Sequence, residues 1–412
     1  MSDLTAMRNI GKELERKLKL AGIETANKFY EHAKEFKTQG VANCDCPACA
    51  AASAVLELKD EIFEINEESW LIILRKAFKF LSVILCAVSV CLCFFGCSHK
   101  TASTPVNPQD FRVTAYIVSD RLDDTFDASN LDKVTDIILF GNAAYDENGK
   151  VNLSDKFDSD IAFLRKYITN QNFYLNILGP SSQSESDDWN EQMYDLADRN
   201  TVAFESGVLE NEIKGVLSKY DFDGVVFDYE FPLRKKDWKS YDRFIINLDS
   251  VLGDEYKIGM SMVGWNLKQS KKAMEATDFF EIMSYDLWDD DGNHATIGIA
   301  KDDIKAFEKK GYDKSKLDLG VPFYARPTTK DAYWYDYKYY CNNLDENGLY
   351  QDDETGLTFS FNTYDVIKEK TETALESGMG GMMVWHYSCD VPADNEKSLF
   401  GAIDSAKQSA IK

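Results

Sequence analysis

Histidine is scarce in this chain, with four among 412 residues. Only His99, His294 and His386 follow the apolar segment at residues 81–95. That supply argues against a histidine-built metal centre and against a Ser-His hydrolase. Positive charge is also short. Lys and Arg number 46 against 70 Asp and Glu, a formal net charge of −24. Such a field repels a nucleic-acid duplex or an anionic lipid surface, so the acidity is read as a solubility device and nucleic acid is not an expected partner. No glycine-rich phosphate loop follows the first strand pattern, where YIVSDRLDD stands, which counts against an open dinucleotide-binding sheet. No internal repeat or low-complexity region occurs. The apolar fraction of 44%, with 13% aromatic, is ample for a large core.

The longest apolar run, Leu81 to Phe95, is shorter than a membrane span and suits the core of a signal peptide. Arg75, Lys76 and Lys79 precede it, and Gly96-Cys97 ends it. Residues 75–97 therefore resemble a bacterial lipoprotein signal, although Phe94 stands where such sites usually carry Leu. The resemblance implies lipidation at Cys97 and a tether over 98–110. A plain membrane anchor is the alternative, and both place the rest of the chain outside the cytoplasm, membrane-anchored or secreted. Residues 1–74 form a small helical segment, with Ile10, Leu14, Leu18 and Phe29 near helical spacing. Its stretch RNIGKELERKLKLAGIET is similar to the C-terminal region of TfoX-type competence proteins. A misassigned start would account for it equally. Cys44, Cys46 and Cys49 lack an evident fourth ligand for a structural zinc and are read as reduced thiols.

From residue 111 onward, short apolar runs alternate with amphipathic stretches. Strands are expected at 111–118, 135–140, 172–178, 223–229, 257–263, 279–285, 317–321 and 380–385. Helical patterns run over 158–167, 190–219, 236–252, 302–310, 363–376 and 397–411. Eight strands with helical material between them predict an α/β fold, a (β/α)8 TIM barrel over residues 111–412. An open doubly wound sheet is the runner-up.

The stretch DGVVFDYEFP, residues 223–232, carries the chemistry. Side chains at i, i+2 and i+4 of a strand share a face. Val226, Asp228 and Glu230 then point into the barrel, and Phe227 and Tyr229 point towards the helices. The two acids fall at the C-terminal end of the fourth strand, where barrel enzymes place their sites. The bland alternative is an acidic strand end that caps a helix or pairs with Arg234.

DGVVFDYEFP also resembles the DGxDxDxE signature of glycoside hydrolase family 18, the chitinases and endo-β-N-acetylglucosaminidases. EIMSYD (281–286) resembles that family's sixth strand, LDLGVPFYAR (317–326) its seventh, and GGMMVWHYSCD (380–390) its eighth. The resemblance implies a retaining, substrate-assisted hydrolase of β-1,4-linked N-acetylglucosamine, acting without a cofactor and as a monomer on an oligo- or polysaccharide. It implies that Glu230 is the acid and base, that Asp228 holds the substrate's acetamido group, and that Tyr285 donates to its oxygen. Trp385 would floor the sugar site and Met283 would pack beneath it. Asp286 would hydrogen-bond near Glu230 or cap the next helix. Tyr116 would touch the same subsite, and Arg326 would be a substrate contact or an ion-pair partner. Chitin-type chains are the first expectation. The alternatives are the chitobiose core of N-glycans, a catalytically silent sugar binder of the same fold, and a scaffold that binds a partner.

Three departures stand out. Val226 occupies the place of the signature's first Asp, which removes a like-charged neighbour from Asp228. NILGP stands where Ser-x-Gly-Gly is usual. The aromatic-rich segment between Arg326 and Thr363 is short for a full insertion domain, so a shallow, endo-acting groove is expected. Cys341 and Cys389 could pair or stay free.

Overall fold

The computed structural model describes residues 107–330 and 333–411. The helical leader, the targeting segment with Cys97 and most of the tether lie outside the described residues.

Eight parallel strands close a barrel. They are β1 (Arg112–Val118), β2 (Asp136–Phe140), β5 (Asn172–Leu178), β6 (Gly224–Asp228), β7 (Lys257–Met262), β8 (Phe279–Ile282), β9 (Leu317–Pro322) and β14 (Gly381–Trp385). Their order is β2-β1-β14-β9-β8-β7-β6-β5, and a β2–β5 ladder shuts the circle. Each expected strand is present, some trimmed by one to three residues at an end. The largest trim is at β8, whose ladder stops at Ile282 while the sequence pattern runs to Tyr285. There the chain turns out of the sheet, and Asp286 takes a left-handed φ of 53°.

The helices include α1 (Phe157–Leu164), α2 (Trp189–Glu205), α3 (Leu209–Tyr220), α4 (Lys235–Leu252), α5 (Lys271–Ala276), α6 (Ile297–Lys310), α7 (Tyr337–Tyr340), α8 (Tyr364–Glu376) and α9 (Leu399–Ile411). The single helical pattern over 190–219 is two helices. The chain breaks at Gly207, whose φ of 68° suits glycine and ends helical geometry. Several starts are capped as their sequences require. Asp188 accepts from Asn190 and Glu191 backbone N–H groups, and Thr296 and Thr363 cap α6 and α8. Between β1 and β2 the chain makes only 3-10 turns, and between β2 and α1 it inserts the hairpin β3 (Ala143–Tyr145) and β4 (Val151–Leu153).

The period-two reading of β6 holds. Phe227 packs edge-on against Phe244 of α4 at 5.4 Å, and Tyr229 meets Tyr241 at 5.1 Å. Val226 faces the other way, into a barrel interior shared with Tyr116, Ile138, Tyr174, Phe279 and Met383. The segment after β9 forms a separate four-stranded antiparallel sheet of β10 (Tyr324–Pro327), β11 (Tyr335–Asp336), β12 (Leu349–Gln351) and β13 (Thr358–Ser360). Sequence pattern gave no sign of that sheet, since its strands are two to four residues long. Asp318 on β9 binds Arg112 on β1 at 2.7 Å across β14. Its carboxyl is pushed up to about 6, because burial outweighs the attraction of Arg112.

Phe244 is wedged between Phe204 of α2, stacked at 4.6 Å, and Phe227 of the strand that carries the acids. Truncating it leaves a cavity at this junction. Phe244→Ala is predicted to cost about 3–5 kcal/mol, read as a lower denaturation midpoint at unchanged m-value.

Candidate active site

The last residue of β6 is Asp228, and Glu230 follows beyond the strand end. Their carboxyl groups are in hydrogen-bonding contact. Asp228 Oδ1 is shut off from water and receives no hydrogen bond from the protein. Burial pushes the Asp228 carboxyl well above its usual range, and the neighbouring Glu230 adds to it by charge and by hydrogen bond. Glu230 faces solvent, yet the walls of the barrel mouth desolvate its carboxyl. That desolvation and the charge of Asp286 raise its pKa, and the hydrogen bond with Asp228 only partly offsets them. Arg234 does not neutralise either acid. It binds Asp198 and Asp237, at 2.7 and 2.8 Å, at the start of α4.

Tyr285 lies just past β8, half-buried, with its hydroxyl 3.9 Å from the Met383 sulfur. Burial, then Tyr324 and the acids Asp228, Glu230 and Glu281, push its pKa far up, so it remains a phenol that can donate. Trp385 ends β14 and packs edge-on against Phe140 and Tyr116, at 4.7 and 5.1 Å. Met283 is buried against the same aromatic group. Tyr116, Met283, Tyr285 and Trp385 therefore share one end of the barrel interior with Val226 of β6.

Asp286 does not cap a helix. It accepts from Tyr324 Oη at 2.6 Å and from Arg326 Nε and Nη2, at 2.8 and 2.7 Å. Its own backbone N–H donates to His294 Nε2 at 2.9 Å. Arg326 pairs with Asp286 in bidentate fashion. Burial would raise the Asp286 carboxyl, but the hydrogen bonds from Arg326 and Tyr324, with the His294 ring against it and the charge of Arg326, outweigh it and hold it well below the usual range. Asp286 stays charged, and its charge bears on Glu230.

Sequence reasoning missed Glu281, Ser261, His294 and Tyr324. Glu281 was legible: it alternates inward with Phe279 on β8 and with Met283 just beyond it. Its carboxylate accepts from Tyr116 Oη, and Ser261 Oγ lies 3.0 Å from the same hydroxyl. His294 and Tyr324 sit 8 and 38 residues from Asp286, without a local pattern to betray them.

Residues 112–390 match the model of glycosyl hydrolases family 18. The chain belongs to that family. No curated protein matches it. Among solved structures, a family 18 chitinase from the chitin utilization locus of Flavobacterium johnsoniae superposes with a TM-score of 0.58 at 21% identity, covering 73% of this chain and 94% of its own. A Bacteroides thetaiotaomicron chitinase gives 0.58 at 18%, covering 72% and 96%. The Group IV chitinase of Ostrinia furnacalis, solved with allosamidin, gives 0.58 at 15%, covering 73% and 100%. At these identities the likeness shows the fold. Within this family 18 domain, Cys341 and Cys389 are separate buried thiols. Among the described residues no cluster of His, Cys, Asp or Glu is arranged to hold a metal ion.

The depressed Asp286 carboxyl makes the domain acid-sensitive. Its stabilisation is complete above the unfolded value of about 3.9 and is lost as pH falls from there to the depressed folded value. Arg326→Ala removes the bidentate clamp. The variant is expected to be less stable than the parent at pH 6, with the gap closing below about pH 4. Thermal melts of both across that range would check it.

Proposed function

We propose that this domain is a retaining glycosidase cleaving β-1,4 linkages between N-acetylglucosamine units, by substrate-assisted catalysis. The reading rests on Asp228 and Glu230 touching at the barrel mouth with opposite exposure. Their Cα atoms lie about 6.6 Å apart along one strand end, so both acids occupy one wall. Neither can be a nucleophile on the far face of a sugar whose leaving oxygen the other protonates. The substrate's own 2-acetamido oxygen supplies the missing nucleophile.

Glu230, protonated in the free site, gives its proton to the glycosidic oxygen. The C1–O bond breaks as the acetamido carbonyl oxygen bonds C1, forming an oxazolinium. Asp228, ionised at this stage, accepts the acetamido N–H and stabilises the positive charge. Tyr285, held as a phenol, donates to the acetamido oxygen. Glu230, now a carboxylate, takes a proton from water as that water bonds C1 and the C1–O bond to the acetamido oxygen breaks, which restores the acid, the acetamide and the original configuration. Trp385 offers its indole face to the sugar, and Tyr116 and Met283 support it from below. The solved relatives point to the same sugar. A class V chitinase of Nicotiana tobaccum is in complex with NAG4, and an Ostrinia furnacalis Group II domain is in complex with a chitooligosaccharide. The small sheet after β9 leaves the groove without a large wall, which favours endo action. The leader reading extends this to a lipid-anchored enzyme working outside the cytoplasm.

The decisive assay follows release of a fluorogenic leaving group from an N,N′-diacetylchitobioside. Glu230→Gln is expected to lower kcat by at least about a hundredfold. Binding without turnover by the parent protein would mean a silent sugar binder. Turnover confined to N-glycan cores would move the substrate to glycoproteins.

The charge of Asp286 gives a second test. It helps keep Glu230 protonated, so the alkaline limb of kcat/KM lies above the ordinary carboxylate range. Asp286→Asn removes that charge and leaves Arg326 unneutralised, and both changes favour ionised Glu230. The alkaline limb is expected to move to lower pH. An unmoved limb would separate Asp286 from the acid.

A further inference from the structure

Glu281 is a fully buried carboxyl group that the mechanism above does not use. It stands on β8, at the inward position opposite Ser261 of the neighbouring β7. On the other side of β7 lies β6, with Phe227 opposite Met260. One residue further along, Asp228 falls level with Ser261. Asp228, Ser261 and Glu281 therefore occupy one rung across three adjacent strands. Tyr116 reaches them from β1. Its hydroxyl contacts the Glu281 carboxyl and lies 3.0 Å from Ser261 Oγ, where either oxygen can donate. At the two ends, Asp228 Oδ1 and Glu281 Oε1 are buried without a protein partner.

We propose that Glu281 is a positioning residue for the hydrolysis, setting through Tyr116 and Ser261 the direction in which hydrogen bonds run towards Asp228. With Glu281 protonated, it donates to Tyr116, Tyr116 donates to Ser261, and Ser261 is free to donate towards Asp228 Oδ1. That direction favours an ionised, correctly turned Asp228, which the oxazolinium step needs. With Glu281 ionised, both hydroxyls turn to it and Asp228 loses the donor. No bond to carbon forms or breaks here. Only hydroxyl protons swing between partners.

The surroundings favour the first direction. Burial pushes Glu281 well above its usual range. The hydrogen bond from Tyr116 opposes this, and the charges of Asp318 on β9 and Asp228 on β6 add to it. Asp318 is held by Arg112. Tyr285 also faces Glu281 from beyond β8. A valine at 226 leaves Asp228 without an acid on the inner side of its strand, so beyond Glu230 the hydroxyls are its route to a further carboxyl group.

The inference rests on the hydrolase reading, and the test separates the two. The full chain, in mild detergent, is assayed on the fluorogenic chitobioside across pH as parent, Glu281→Gln, Glu281→Leu, Tyr116→Phe and the Glu281→Leu/Tyr116→Phe double variant. Glu281→Leu is expected to lose roughly ten- to a hundredfold in kcat with little change in KM. Glu281→Gln keeps a permanent donor. It should recover most of that loss and carry its alkaline limb to higher pH than the parent. The double variant should be no worse than the poorer single one, since one chain is cut twice. If Glu281→Leu fails to melt cooperatively, Glu281→Gln and Tyr116→Phe alone decide the matter. Parent-like kcat and superimposable pH profiles in every Glu281 variant that folds would overturn the proposal and leave the hydrolase reading intact. Fully additive losses would overturn it too. An inactive parent would overturn the hydrolase reading and this proposal with it.

Discussion

Repulsion between carboxyl groups in an enclosed space governs this molecule. Two unit charges about 4 Å apart repel by roughly 4 kcal/mol at an effective dielectric of about 20, some three pKa units. Asp228 and Glu230 are within hydrogen-bonding reach of each other, in a mouth walled by protein. Desolvation and mutual repulsion both favour retention of a proton by the pair. The barrel supplies this condition by its geometry alone. A strand that ends in two inward acids, surrounded by seven other strands, forces the acids together and removes most of their water. Retention of a proton at the mouth is therefore a property of the fold, and the chemistry proposed for it depends on little else.

Four carboxyl groups near this end of the barrel show how surroundings separate otherwise similar acids. Asp286 has a guanidinium clamp, a phenol and a histidine, and stays charged. Glu230 is raised by desolvation at the mouth and then by the charge of Asp286. Asp228 is raised by burial and by Glu230. Glu281 is deepest, with hydroxyls as its hydrogen-bonding company. Arg326 thus acts at a distance. By keeping Asp286 anionic it maintains the field that disfavours an anionic Glu230.

The alternation of β6 made the two acids, the outward Phe227 and Tyr229, and the inward Val226 readable before any coordinates. Eight apolar runs made the barrel readable, because a parallel strand buried on both faces is apolar along its length. Readability failed where structure depends on partners distant in the chain. Tyr324, Arg326 and His294 converge on Asp286 from a loop and from β10, and no spacing rule links them. The break at Gly207 was hidden by amphipathic pattern on both sides of one glycine. The sheet after β9 was hidden by strands too short to show alternation. Glu281 differs from these cases. Its inward phase was plain, but it lay inside a stretch whose interest was taken by Met283, Tyr285 and Asp286.

The exchange of an acid for Val226 changes the kind of coupling at Asp228, and not only its strength. A carboxyl group at 226 would meet Asp228 along its own strand, and the two would couple mainly through charge. Val226 instead fills the interior with apolar atoms and is fully buried. That closes the direct path and lowers the local dielectric. The remaining acid, Glu281, stands two strands away, beyond Ser261. Coulomb coupling persists over that span, but hydroxyl dipoles intervene, and dipoles have direction. A site wired this way responds to the orientation of two protons as well as to the charge of a neighbour. It also ties Tyr116, which packs against Trp385 at 5.1 Å, to the protonation of the acids. In the proposed mechanism, a sugar seated on Trp385 and a proton held by Glu281 meet in a single tyrosine, which would link occupation of the site to the state of Asp228.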